Sequence, residues 1–167
     1  MTELDAHTIR ENLFEDLNHR WMTIGATDGE RANAMTAGWG GWGVIWEQDV
    51  FFCMVRKSRY TYDILENTDT ITLSFFGDGN ACRRELTYLG RTSGRAEDKL
   101  SNCGLTPVIE GKEVYFKEAE VVLSGKILAK TDLTDSDLID PAIRKFYEKD
   151  GLHRIYICAL SRARKKD

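Results

Sequence analysis

No apolar run in these 167 residues approaches the roughly 20 that a membrane-spanning helix needs. The opening Met1-Thr2-Glu3-Leu4-Asp5 lacks the basic and apolar regions of a signal peptide, so we expect a cytoplasmic protein with no membrane partner. Positive charge is not in excess: 23 basic against 27 acidic residues leave a net charge of −4, which argues against nucleic-acid binding by bulk electrostatics. The four cysteines, Cys53, Cys82, Cys103 and Cys158, form no C-x-x-C pair and have no histidine at metal-ligand spacing, so reduced thiols and no metal site are expected. Cys53 and Cys158 lie in apolar strand patterns and read as core, whereas Cys82 lies among charges and reads as more exposed. There is no Gly-Lys-Ser/Thr after a glycine run and no G-x-G-x-x-G between a strand and a helix, which excludes a phosphate loop and a dinucleotide fingerprint. Internal repeats, low-complexity blocks and linkers are also missing, and the length suits one domain over residues 1–167.

What is present is mostly strand. Residues 6–17 carry Ile9, Leu13, Phe14 and Leu17 among charges and predict a short amphipathic helix packed on the domain. Residues 21–26 and 31–38 read as a hairpin around Asp28-Gly29. Val50-Phe51-Phe52-Cys53-Met54-Val55 is too short for a typical helix and reads as a buried strand, and Thr70-Ile71-Thr72-Leu73-Ser74-Phe75-Phe76 alternates as a half-buried strand should. Gly77-Asp78-Gly79 breaks it. Helices are expected over 80–89, ended by Gly90, and near 96–103. Strands return at 114–116 and 119–129, with Gly125 marking a bend or bulge, then at 152–160 after a short helix opened by Asp140-Pro141. Residues 162–167 read as a basic, solvated tail. Six or seven strands with inserted helices give a mainly β (α+β) domain built on an antiparallel barrel.

Three stretches carry candidate chemistry. Val55-Arg56-Lys57-Ser58-Arg59-Tyr60-Thr61-Tyr62 turns a strand into a helix with cations and hydroxyls in the turn, the composition of a phosphate-monoester site. Its structural alternative is an N-cap beside solvated arginines. Asn33-Ala34-Met35-Thr36-Ala37-Gly38-Trp39-Gly40-Gly41-Trp42-Gly43 lets backbone approach something flat, or else simply forms a barrel corner. Lys99, behind the loop Arg91-Thr92-Ser93-Gly94-Arg95, could reach an oxyanion or a polar ring edge, or else be solvated.

In order and spacing these stretches resemble the flavin-reductase-like proteins with the FMN-binding split barrel, in particular the flavoredoxin-like branch. The likeness extends through Leu73-Ser74-Phe75-Phe76, Leu89-Gly90-Arg91-Thr92-Ser93-Gly94-Arg95 with Asp98-Lys99, Gly104-Leu105-Thr106-Pro107, Asp140-Pro141 and His153-Arg154-Ile155-Tyr156-Ile157. It implies a six-stranded antiparallel Greek-key split barrel with peripheral helices, noncovalent FMN and a homodimer with flavin near the interface. It implies that Arg56, Ser58, Arg59, Tyr60 and Thr61 hold the phosphate, that Asn33, Met35, Thr36, Ala37 and Trp39 lie along ring and ribityl chain, and that Ser93 and Lys99 complete the cofactor site. Thr36 is expected at the ring's polar edge. Two positions depart from the pattern: Lys57 stands where relatives often have proline, and Cys158 where the last strand usually has glycine.

The function so implied is an FMN-dependent oxidoreductase, a flavin reductase taking hydride from transiently docked NAD(P)H and passing electrons to a small-molecule or protein partner. The alternatives are a flavoredoxin-type electron-transfer protein reduced by a protein partner and a nonredox ligand-binding barrel. Flavin N5 carries the reactivity, so no side chain is assigned as catalytic. His153 is a candidate substrate contact, with a structural role as its alternative. Trp39, Trp42, Trp46 and Phe76 are aromatics that one small barrel would leave for a partner subunit.

Overall fold

The computed structural model describes residues 1–10, 12–77 and 81–167; the Asp78-Gly79 break and the expected helix start at residue 80 lie outside them. Ten strands are found among these residues: β1 (Thr2–Glu3), β2 (Met22–Thr27), β3 (Ala32–Ala37), β4 (Gly40–Ile45), β5 (Gln48–Arg56), β6 (Thr70–Phe75), β7 (Pro107–Glu110), β8 (Glu113–Phe116), β9 (Val121–Asp132) and β10 (His153–Lys165). Four short helices accompany them: α1 (Leu13–Glu15), α2 (Tyr60–Leu65), α3 (Arg83–Arg91) and α4 (Lys99–Asn102). A 3-10 segment, Pro141–Tyr147, precedes β10.

The main sheet is antiparallel and runs β3-β2-β6-β9-β10-β5-β4, with β1 added beside β10, while β7 and β8 form a separate hairpin. The expected six-stranded Greek-key split barrel is therefore corrected in strand number to an eight-stranded antiparallel sheet, whose end strands β3 and β4 share no ladder among the described residues. The reason lies in the two longest strands. β10 pairs with β9 from Arg154↔Asp132 to Lys165↔Val121, and its other edge serves β5 first and β1 afterwards. The register slips between Leu160 and Arg162, next to the Leu160↔Gly125 pair, so the irregularity expected at Gly125 is a bulge on the strand facing it.

Period-two alternation divides the apolar side chains between two cores. Met22, Ile24, Phe51, Leu73, Leu123 and Tyr156 fill the concave side of the sheet. Leu86, Leu89, Val114, Phe116 and Val122 fill the other, beneath α3 and the β7–β8 hairpin. Gly25 is where the hairpin presses closest: a Cβ there would overlap the Val114 carbonyl.

Several expectations change. Residues 6–17 do not form one helix; a 3-10 turn at Ala6–Thr8 and α1, continued by a π-helical stretch over Asp16–Arg20, stand in its place, and Ile9, Leu13 and Leu17 pack on the core as expected while Phe14 is 81% exposed. The supposed tail continues β10, with Ala163 in the concave core and Arg164 buried against the hairpin, where its guanidinium stacks on Tyr115 at 5.0 Å and meets Glu113 at 2.6 Å. Cys82 is buried in the second core, as is Phe76, and Trp42 packs edge-on against Phe75 at 5.7 Å. Gly90 lies inside α3 and does not end it, and only Lys99–Asn102 of the stretch 96–103 is α-helical. Cys53 and Cys158 are fully buried, as read, and burial pushes the Cys158 thiol up to about 12.

Among the described residues no helix is long and apolar enough to cross a membrane.

Candidate functional site

The site is built where β5 ends. The Arg59 N–H donates to the Arg56 carbonyl at 3.0 Å, closing a turn that places both guanidinium groups at the rim of the sheet before α2 starts at Tyr60. The N-cap of α2 is Arg59 and no side chain caps it, so the structural alternative of a capping hydrogen bond from this turn does not apply. Lys57, where proline was expected of relatives, points instead to Asp132 and pairs with it at 2.7 Å. Asp132 also accepts from Arg154, and Arg154 bonds Glu66 at 2.6 Å, so the base of the turn is braced by a charged network.

Two grooves meet at Arg56 and Arg59. The first, about 220 Å³, is lined by Met35, Thr36, Ala37, Gly38, Trp39, Met54, Gly90 and His153 as well as the two arginines. The second, about 200 Å³, is lined by Ser58, Tyr60, Thr61, Arg91, Thr92, Ser93, Gly94, Lys99 and Asp150 with the same two arginines. Each expected cofactor-site residue except Asn33 thus lines one or both of two grooves that share Arg56 and Arg59. Asn33 is buried beneath the loop and donates from Nδ2 to the Thr61 hydroxyl at 2.8 Å, which fixes Thr61 from below. Gly94 lies directly over this pair: a Cβ would come within 2.6 Å of Asn33 Oδ1 and 2.5 Å of the Tyr60 ring.

The cations of the second groove are held by a helix end. Arg59 Nη2 donates to the Gly90 carbonyl at 2.6 Å, and Lys99 Nζ donates to the Leu89 and Thr92 carbonyls at 2.9 and 3.1 Å. The last carbonyls of a helix lack intrahelical partners and carry its negative partial charge, so α3 can hold two cations side by side without a carboxylate. Burial, reinforced by the Arg59 charge, lowers Lys99 to about 8. Burial likewise lowers Arg59 from the usual arginine value. Two incompletely compensated cations beside the hydroxyls of Ser58, Thr61 and Ser93 make a donor set that suits a phosphate.

Arg56 is used differently. Its Nη1 and Nη2 donate to the Gly151 and Phe146 carbonyls at 2.8 and 2.7 Å, and its guanidinium lies 5.4 Å from the centre of the Tyr147 ring. It fastens the chain at Phe146 and Gly151 beside Trp39, and both its Nη atoms are taken up in doing so. The 141–147 segment brings Phe146 and Tyr147 against Trp39, with ring centres at 5.6 and 6.3 Å, and His153 lies 4.9 Å from Trp39. His153 Nδ1 is buried without a hydrogen-bond partner, and burial followed by the Arg56 charge lowers the imidazole to about 4. It is neutral at physiological pH. Thr36 lines the first groove, but its hydroxyl donates to the Leu86 carbonyl at 2.5 Å and is committed to α3, not to a ring edge.

Sequence reasoning missed Met54, Phe146, Tyr147 and Asp150 as site residues. Asp150 was legible only as the first residue of an Asp-Gly turn, and Met54 only as a strand residue, since nothing local shows which groove they approach.

No protein-family model matches the chain, and no curated protein does. Solved structures do. Flavoredoxin of Desulfovibrio vulgaris (Miyazaki F) is 23% identical, with a TM-score of 0.66 over 88% of this chain and 69% of that one. The FMN-binding domain of a flavin reductases-like enzyme from Shewanella baltica OS155 is 17% identical, with a TM-score of 0.64 over 90% of this chain and 71% of its own. The NADH:FAD oxidoreductase SgcE6 of Streptomyces globisporus is 14% identical, with a TM-score of 0.66 over 87% and 75%. The likeness read from the motifs is thus matched in three dimensions, and the chain has the fold of the flavoredoxins and the FMN-binding, flavin-reductase-like proteins.

Proposed function

We propose that the chain binds FMN noncovalently and works as an NAD(P)H-dependent flavin reductase. One observation carries the reading: a groove lined by cations and hydroxyls joins, at Arg56 and Arg59, a groove lined by flat and small residues. A ligand with a phosphate at one end and a planar ring at the other matches that arrangement. Arg59, Lys99, Ser58, Thr61 and Ser93 hold the phosphate, and Asn33 holds Thr61. Met35, Thr36, Ala37 and Trp39 line the ring's groove, and Tyr60 lines the phosphate's. FMN, when bound, supplies hydride acceptance at N5, so the chain need only position the ring, leave a face open and exclude water. His153 lines the ring's groove and is the candidate nicotinamide contact, through its ring edge, since its unpaired Nδ1 is buried.

Stopped-flow mixing of the FMN-loaded protein with NADH and with NADPH tests this. The flavin absorbance is expected to bleach with at least one of them. Bound FMN that neither nicotinamide bleaches would identify a flavoredoxin-type carrier reduced by a protein partner. A colourless protein that takes up no FMN would identify a nonredox ligand-binding barrel.

We also propose a homodimer closed over the site. Trp39, in the first groove, is 38% exposed, and on the β4–β5 hairpin Val44 and Trp46 are 70% and 57% exposed, a set of apolar surfaces that a second chain would cover. Light scattering of the FMN-loaded protein at micromolar concentration is expected to give twice the chain mass; a mass near one 19.0 kDa chain with flavin bound overturns the shared site.

A further inference from the structure

We infer that Asp150 sets the charge selectivity of the phosphate groove, holding down its affinity for a phosphate dianion relative to a phosphodiester or an uncharged ligand. The inference rests on the FMN reading of the same site.

Around the second groove stand the cations Arg56, Arg59, Arg91 and Lys99, and among its lining residues Asp150 is the one acid. Its place is set by the backbone and not by an ion pair. The next residue, Gly151, has φ of +71° and gives its carbonyl to Arg56 Nη1 at 2.8 Å, and His153 then enters β10 opposite Arg56. The backbone that carries Asp150 to the groove wall is therefore held by contacts that a ligand does not make. No salt bridge within 4.0 Å joins Asp150 to a described cation, yet both it and Arg59 line the groove, and its charge raises Arg59 against the lowering effect of burial.

The consequence depends on the ligand's charge at that one place. A phosphate monoester carries about −1.5 to −2 at pH 7, because its second pKa lies near 6. Each phosphate of a pyrophosphate diester carries one negative charge, and riboflavin carries none. Repulsion from a fixed carboxylate grows with that local charge and leaves the ring contacts untouched. An acid at this position favours release of FMN, as suits a flavin that exchanges between proteins, and penalises FAD less.

Titrations of wild type and Asp150→Asn with riboflavin, FMN and FAD at low salt test this. Removing one exposed charge is expected to tighten FMN roughly three- to tenfold, FAD by less, and riboflavin not at all, and the gain should fade as salt is raised. Asp150→Glu keeps the charge and should keep the wild-type ratio of FMN to riboflavin affinity. An equal gain for riboflavin would show that Asp150 shapes the groove without selecting charge, and unchanged FMN binding would remove it from the site; either overturns the inference while the FMN reading stands. If wild type does not bind FMN, the proposed function fails and the inference with it.

Discussion

Arg59→Ala is expected to weaken FMN binding about ten- to hundredfold and to leave the far-ultraviolet circular dichroism unchanged. Arg59, like Arg56, lines both grooves, but it is anchored to α3 through Gly90 at 2.6 Å whereas both Nη atoms of Arg56 are engaged by the Gly151 and Phe146 carbonyls. A hydrogen bond to a charged group is worth about 1.5 to 3 kcal/mol, which converts to the stated range. Two effects bound it. Loss of Arg59 removes the neighbouring charge that helps depress Lys99, so Lys99 becomes a firmer cation and recovers part of the attraction. The freed Gly90 carbonyl opens onto the groove, where water can replace the guanidinium, so the fold does not pay with a buried orphan. Titration of the apo-protein with FMN measures the effect, and an unchanged curve would take Arg59 out of the binding site.

The largest loss of stability is expected from Gly25→Ala, about 3 kcal/mol, at the upper end of the range for overpacked positions. Gly25 pairs with Ala34 on one side and Thr72 on the other, so neither neighbouring strand lets β2 move. Above it the obstacle is the Val114 carbonyl and carbon, backbone atoms that no rotamer change can relieve. One methyl therefore has to lift the β7–β8 hairpin, which carries Val114 and Phe116 into the second core. Urea unfolding would show a lower midpoint with little change in slope; a midpoint equal to wild type would mean that the hairpin can ride up at no cost.

Much of this molecule was legible along the chain because the signals are local. Alternation placed Thr70–Phe75, and Asp28-Gly29 marked a hairpin whose Asp28 carboxylate accepts from the Arg31 N–H at 2.8 Å. The cation-rich turn before α2 could be recognised from eight consecutive residues because strand, turn and helix follow one another there. The likeness to the split-barrel proteins came from the order of such stretches, which the backbone fold matches.

What the sequence determined by itself, then, was the strands that alternate or turn locally and the cations and hydroxyls gathered in the turn before α2. Tertiary structure decided how those groups are used. Four cations line the second groove, but Arg56 is tied to the Phe146 and Gly151 carbonyls, while Arg59 and Lys99 are shared with the end of α3. Asn33, which reads like a ligand contact, is a support for Thr61, and Asp150 reaches the groove only because Gly151 is tied to an arginine 95 residues away. The basic C-terminus became a strand because β9 offers it an edge as far as Val121↔Lys165 and because Glu113 and Tyr115 receive Arg164 there. Each of these depends on a partner distant in sequence, and a side chain's charge or polarity does not say which distant carbonyl, carboxylate or ring will claim it.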